Sequence, residues 1–334
     1  MITRFFRTNY IGQYILTFVL SIVLWMGAFI NPQPMETTNS FLYESLYNLF
    51  SPYPLLSTIL AYLIVLVGAF YFNNMLYRHK LIPHNNFLPA FLCLLMASAM
   101  PSQTLSPMLV SGIFILISLN YVLDCDDMNK TTNKVFSAAL MISVASLFYQ
   151  VSLYFLAYLL ISFLVYKIYS WREWIIIFLG YALPQIILLV YCFMTDKLTV
   201  LLDYSAQSIG TIDLVVGIHS WFIFVLEIFF ILILVVSFMN FLAHSSENII
   251  SYRKKSYVIF SIFLISIVLA LYTTIVPLQT LFLSIPFSYF LSIMILRQKR
   301  KLIFYKLIQR YFQFIYRQIT MVILINNTKK SFFL

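Results

Sequence analysis

The chain has 334 residues, of which 62% are hydrophobic and 10% are charged, and its formal net charge is +10. Soluble globular domains are about half apolar and about a quarter charged, so this composition excludes a soluble globule. The basic residues lie in short patches between apolar runs, a distribution that indicates topology signals and contacts with anionic lipid and argues against a nucleic-acid partner. The sequence therefore predicts an all-α membrane protein.

Long apolar runs recur along the chain, and their lengths predict about ten transmembrane helices. The first run follows Arg4 and Arg7 and is too long for the core of a signal peptide, so we expect it to stay attached as the first span. The spans form one predicted transmembrane domain, 1–296, followed by a basic tail, 297–334. The predicted spans are 9–30, 53–73, 87–100, 107–123, 135–148, 151–169, 174–194, 221–243, 257–273 and 277–296.

The distribution of Lys and Arg predicts the orientation. If ten spans alternate, only Lys197 of the 21 basic residues falls on one side and the other 20 fall on the opposite side. Because positively charged loops stay in the cytoplasm, both termini are predicted to be cytoplasmic. In the tail, Lys306, Arg310 and Arg317 recur at helical spacing, which predicts an amphipathic segment lying on anionic lipid. An eleventh span over 302–325 is the alternative.

The outward side is predicted to hold a depression. The spans 87–100 and 135–148 have only about 14 residues, or ~21 Å of helix, against a hydrocarbon core of ~30 Å. Short outward-facing hairpins of this kind would have sunken tips, unless they are simply tilted or their predicted bounds are imprecise. The outer loops 31–52 and 195–220 are the predicted cover, and 40–50 is predicted to be a short interfacial helix. The polar residues predicted to line this substrate cavity are Gln103, Gln150, Asp203, Asp213 and Gln279.

Two acids are candidate catalytic residues on this side. Glu227 is the one acid within a predicted span, and a carboxylate at membrane depth costs about 3 kcal/mol and commonly marks a site. Glu36 follows the first span within six residues. Either could act as a general base. The alternatives are an interhelical hydrogen bond for Glu227 and a solvated loop position for Glu36.

Metal-ligand spacing is absent from the sequence, and neither a metal nor another cofactor is predicted. The acidic run Asp124-Cys-Asp-Asp127 is predicted to be a solvated turn, with clustered carboxylates for Mg²⁺ as the alternative. At the centre of the chain, Trp171, Arg172, Glu173 and Trp174 form an abrupt polar stretch. They are predicted to be a cytoplasmic anchor at headgroup level.

Three stretches carry a resemblance to a known family. They are the opening Met-Ile-Thr-Arg-Phe-Phe-Arg-Thr-Asn, the region from Asn120 to Leu123, and Trp-Arg-Glu-Trp with the following Gly180 and Pro184. The chain resembles a family of uncharacterised multipass inner-membrane proteins of Bacteroidota-type bacteria, which implies a bacterial inner-membrane location and supplies no mechanism. Its architecture is also similar to that of GT-C-type lipid-sugar glycosyltransferases, although Glu36 lacks the paired acid of their motif.

Three classes of function stay open. The first is an envelope-assembly enzyme acting on a lipid-linked (polyprenyl) sugar in the periplasm-facing cavity. The second is a non-catalytic membrane scaffold or complex subunit that docks a membrane-protein partner. The third is a transporter, which the seven glycines and the lack of interrupted repeats make the weakest of the three.

Overall fold

The computed structural model describes residues 10–35, 40–82, 86–98, 103–126, 131–168, 170–199, 201, 221–243, 249–272 and 276–297. All regular elements in these ranges are helical, and no strand occurs among them. Two 3-10 helices, Asp124–Asp126 and Gln150–Phe155, accompany eleven α-helices in the described residues. The α-helices are α1 Tyr10–Ile30, α2 Phe41–Phe50, α3 Pro54–Arg78, α4 Leu88–Ser98, α5 Pro107–Leu123, α6 Thr131–Phe148, α7 Leu156–Tyr166, α8 Trp171–Met194, α9 Trp221–Ala243, α10 Ile250–Tyr272 and α11 Val276–Arg297.

A helix lies at each position where the sequence predicts a span, and α2 lies where the interfacial helix is predicted. The prediction that the span at 135–148 is short is wrong, because α6 has 18 residues and is long enough to cross a membrane. Five segments are long and apolar enough to cross a membrane by length and composition. They are Gly12–Ile30, Pro54–Arg78, Pro107–Asp126, Thr131–Phe148 and Trp171–Met194. The all-α prediction is therefore confirmed for the described residues, and the apolar helices indicate a membrane protein. The number of spans and the side of the termini stay predictions.

Helix α4 lies at the centre of the bundle. It has 11 residues, every one of them buried, and it contacts α1, α3 and α11. Leu88, Leu92 and Met96, spaced four residues apart, pack into the larger core that includes α5 to α7 and α9 to α11. The opposite side of α4 packs into a second core with α1 and α3. A helix that is apolar on all sides is expected to be buried in this way, and α4 joins the two cores.

Helices α6 and α8 form the closest pair at one edge of the bundle. The buried face of α6 carries small side chains, among them Ala139, Ser143 and Ser146, which allow α8 to approach. Pro184 lies within α8 and has no N–H for the carbonyl of Gly180, one turn earlier. The Ser143 hydroxyl donates to the neighbouring carbonyl of Tyr181 over 2.6 Å, so α6 supports the backbone at this interruption.

The beginning of α8 differs from the prediction. The sequence predicts a polar anchor at Trp171 to Trp174 and a span that begins at residue 174, whereas α8 begins at Trp171 with Ser170 as its N-cap residue. A serine followed three residues later by a glutamate is typical of a first helical turn, although the Ser170 side chain makes no capping hydrogen bond here. The Trp-Arg-Glu-Trp stretch is therefore the first turn of a helix.

Candidate functional site

One end of the described helices is covered by α2. Its buried face consists of Tyr43, Leu46, Tyr47 and Phe50, at the i, i+3, i+4 and i+7 spacing of a helix that lies on a surface. Tyr43 is fully buried, and its hydroxyl donates to the backbone carbonyl of Leu105 over 2.8 Å. This hydrogen bond joins α2 to the turn between α4 and α5.

The two predicted cavity residues whose side chains the structure describes lie in separate turns. Gln103 follows α4, and its Nε2 donates to the Ser98 carbonyl over 2.6 Å, which satisfies one of the free carbonyls at the end of that helix. Gln150 follows α6 and begins the second 3-10 helix, with its side chain half-buried. Gln103 therefore has a local structural role.

The remaining outward candidates cannot be placed around these two. Glu36, Asp203 and Asp213 lie outside the described residues. Glu227 belongs to α9 and Gln279 to α11, but their side chains are also outside the described part of the chain. Whether these residues converge on one cavity stays a prediction.

The four residues of the predicted anchor have different surroundings. Trp171 is 76% exposed, and Arg172 is exposed as well. The Trp174 indole donates to the Ile168 carbonyl over 3.3 Å and meets Phe163 edge-on, with ring centroids 6.0 Å apart. The Oε2 atom of Glu173 is buried and has no hydrogen-bond partner among the described residues. Trp174 therefore fixes α8 to the end of α7, while the Trp171 side chain points away from the bundle.

Ionic and polar side chains from several helices meet at the opposite end of the bundle from α2. We call this group the charge cluster. Its residues come from the end of α3, the end of α5 with the following 3-10 helix, and the beginnings of α6 and α10. They are Arg78, His79, Asn120, Asp124, Asp126, Lys134, Ser251 and Lys255.

Asp124 is the first centre of the charge cluster. Arg78 Nη2 lies 3.4 Å from Asp124 Oδ2, and His79 Nε2 lies 3.9 Å from Asp124 Oδ1. The Lys134 ammonium donates to the backbone carbonyl of Asp124 over 2.6 Å. Three helices are thereby joined through one residue, and the Asp124 side chain is left only 22% exposed.

Asp126 is the second centre, and it holds α10. Lys255 Nζ lies 3.7 Å from Asp126 Oδ2, and the Ser251 hydroxyl donates to the same oxygen. The Lys255 side chain is 14% exposed and that of Asp126 is 17% exposed. Partial burial makes this ion pair less screened by water and salt than an ordinary surface pair.

His79 contributes a neutral group to the charge cluster. Its side chain is 4% exposed, and its Nε2 lies 3.1 Å from the Asn120 Oδ1 atom, an acceptor, so Nε2 carries the proton. Burial lowers the pKa of His79 below its ordinary value, and the nearby Lys255 lowers this pKa further. The Asn120 hydrogen bond and Asp124 oppose this change but do not reverse it.

The sequence prediction of a solvated turn is wrong for Asp124 and Asp126. Each carboxylate is partly buried against cations from other helices. The partners lie 46 residues away for Arg78 and 125 residues away for Ser251, so local spacing carries no signal for them. The surplus of basic residues in the same connections is the one signal that the sequence offers, and it indicates orientation and lipid contacts without indicating which cation meets which carboxylate.

Among the described residues, no group of three or more His, Cys, Asp or Glu side chains is placed to hold a metal ion. Comparisons of the chain with known protein families, with curated proteins and with solved structures find no match. The resemblances inferred from sequence therefore stay proposals.

Proposed function

We propose that this chain is a ten-span protein of the bacterial inner membrane, with both termini in the cytoplasm. We further propose that it is an envelope-assembly enzyme that acts on a lipid-linked sugar at a periplasm-facing site. The observation that carries the proposal is the docking of α2, through Tyr43, over the turn that follows the short buried helix α4.

The length of α4 supports a site below the membrane surface. Its 11 residues extend ~16 Å, about half the hydrocarbon core, and all of them are buried by other helices. Non-helical backbone at membrane depth is tolerated where protein covers it or where it lines a wet cavity. The turn at 103–106 fits the first condition, because Tyr43 of α2 covers it.

An amphipathic cover suits a substrate that has a lipid tail and a polar headgroup. The buried face of α2 binds the bundle, while Glu44, Ser45 and Asn48 on its other face are exposed. A substrate could approach from the bilayer beneath such a helix, with its reacting headgroup shielded from bulk water. This arrangement also underlies the resemblance to GT-C-type glycosyltransferases. Glu36 or Glu227 is the proposed general base.

The chain purified in mild detergent provides the test, with lipid mass spectrometry as the readout. We expect a polyprenyl-linked sugar to co-purify with the wild-type chain, and envelope glycans to change in cells that carry Glu36→Gln or Glu227→Gln. Glu44→Gln is the matched control, because Glu44 lies in the same loop on the exposed face of α2. Unchanged glycans at normal protein levels, with no polyprenyl lipid bound, would contradict the enzyme proposal.

A non-catalytic scaffold is the second candidate, and the exposure of α8 favours it. Only 17% of the apolar part of α8 is buried within the chain, the smallest share among the five long apolar segments. Phe178, Leu183 and Ile187 are among the large apolar side chains that it leaves open. A partner helix or lipid would cover this surface. Co-purification of a stoichiometric membrane protein, lost on replacing these three residues by alanine, would favour the scaffold.

A further inference from the structure

The charge cluster contains more positive than negative charge. Arg78, Lys134 and Lys255 face Asp124 and Asp126, so one positive charge is left over among the described ionic residues. The surrounding connections extend this imbalance. Together with Arg78, the stretches 79–86, 124–134 and 244–255 contain seven basic and four acidic residues, an excess of three positive charges. Because Arg78 is 62% exposed, water screens part of this surplus, but its positive sign still attracts anions.

Two of the cations are incompletely used by the carboxylates. An ammonium group offers three donors, but Lys255 has a single ionic contact at 3.7 Å although its side chain is only 14% exposed. The Arg78 guanidinium touches Asp124 at 3.4 Å and is otherwise 62% exposed. Charge-assisted hydrogen bonds are normally shorter, at about 2.7–2.9 Å. Both groups therefore retain donor capacity toward an anion.

A third donor is buried near the two carboxylates. The hydroxyl of Tyr166, at the end of α7, has no hydrogen-bond partner among the described residues, and the residue is only 4% exposed. It lies within electrostatic range of Asp126 and Asp124. A buried hydroxyl without a partner is unfavourable, and an acceptor oxygen of a ligand would satisfy it.

We propose that the charge cluster is a binding site for the phosphate of an anionic phospholipid headgroup, held by Arg78 and Lys255 with the Tyr166 hydroxyl as a further donor. The sign of the charge excludes a cation as the preferred ligand. The location favours a lipid, because the cluster lies where several apolar helices end and basic pockets between such helices bind acidic headgroups. This inference is independent of the proposed outward site, which lies at the other end of the bundle.

The full-length chain, purified in mild detergent and delipidated, is the material for the test. Its melting temperature is followed while phosphatidylglycerol, phosphatidylcholine or inorganic phosphate is added at fixed detergent concentration. We expect phosphatidylglycerol to stabilise the chain more than phosphatidylcholine does. Arg78→Gln should weaken the apparent affinity for phosphatidylglycerol about fivefold, since a cation near a lipid surface is worth about 1 kcal/mol.

Three further variants make the result specific. Lys255→Gln should weaken the affinity for phosphatidylglycerol at least as much as Arg78→Gln, and if it fails to fold, the exposed Arg78 still decides the question. Asp124→Asn should strengthen lipid binding, because it removes a competing carboxylate; a purely structural role for Asp124 would not have this effect. Lys197→Gln is the control. It removes one positive charge from a lysine that follows the end of α8 and does not belong to the charge cluster. It should leave the affinity unchanged.

Two outcomes would overturn the proposal. The first is equal stabilisation by phosphatidylglycerol and phosphatidylcholine, or an equal response of Arg78→Gln and Lys197→Gln. The second is protection by inorganic phosphate alone, with none from phosphatidylglycerol, which would show that a soluble phosphate, and not a lipid, occupies the site.

Discussion

Gly180 of α8 lies against Ala139 of α6 so closely that a Cβ on Gly180 would stand 3.0 Å from the Ala139 Cβ. The same Cβ would be 2.8 Å from the carbonyl oxygen of Phe136, which is backbone and cannot move aside independently. Gly180 is thus required by a close approach of two helices. The seam that it forms with the small residues of α6 is the tightest contact of α8 with the bundle.

Gly180→Ala should destabilise the protein by about 1–3 kcal/mol, the usual cost of forcing an extra methyl group into a packed contact. The measurement is thermal unfolding in detergent. Gly68→Ala is the matched control, because a Cβ there would meet only the Leu116 Cδ1 at 3.9 Å, an ordinary van der Waals distance. Equal melting temperatures for the two variants would show that α6 and α8 are not in this close contact.

Ser143→Ala should lower stability by about 1 kcal/mol, the usual size of an interhelical hydrogen bond between membrane helices. The reason is that the Ser143 hydroxyl supports the Tyr181 carbonyl beside the interruption at Pro184. Ser111→Ala is the comparison, because its hydroxyl donates to Met108 within the same helix. The melting temperature of Ser143→Ala should be lower than that of Ser111→Ala. The reverse order would contradict the supporting role of Ser143.

Lys167→Gly should raise stability by up to about 1 kcal/mol. Lys167 follows α7 with φ +60°, a left-handed conformation that costs an L-residue roughly 1–2 kcal/mol and that glycine adopts freely. The hydrogen bond from Ile168 N–H to the Phe163 carbonyl shows the Schellman ending that requires this conformation. Lys167→Ala keeps the Cβ and should bring no gain. A glycine variant less stable than the alanine variant would contradict this prediction.

The melting temperature should decrease when the pH is lowered past about 6.5, which is the ordinary histidine pKa, and His79 should cause part of this decrease. Burial lowers the pKa of folded His79, so the unfolded chain binds a proton first as the pH falls. Stability from His79 is therefore complete above the ordinary value and is lost as the pH falls through it toward the folded value. His79→Gln should have a shallower decline between pH 7.5 and 5.5. Parallel curves for the two proteins would exclude this role for His79.

The sequence was sufficient to place the helices but not to describe their contacts. Lengths of apolar runs locate α1 and α3 to within a few residues, because the backbone of such a run must satisfy its own hydrogen bonds by forming a helix. The spacing of apolar residues over 40–50 predicts helix α2, yet its most deeply buried residue is Tyr43. A count of apolar residues misses Tyr43 because of its hydroxyl, whose burial is explained only by the hydrogen bond to the Leu105 carbonyl.

Close packing was also hidden in the sequence. Glycine is scarce in the sequence, but alanine and serine supply the small surface of α6, and one glycine, Gly180, completes it. The charge cluster was missed for a related reason. Which cation meets Asp126 depends on the packing of α10, and nothing in the residues around Asp126 indicates Lys255 as its partner.

The ten-span topology and the periplasm-facing site both depend on the orientation of the chain. Labelling of single cysteines in intact cells tests this orientation most directly. The three native cysteines are buried, so cysteines introduced at the exposed positions Ser45 and Ser170 would dominate the signal. We predict that a membrane-impermeant thiol reagent labels Ser45→Cys from outside and reaches Ser170→Cys only after the membrane is permeabilised. Labelling of Ser170→Cys in intact cells would contradict the ten-span topology and the periplasm-facing site together.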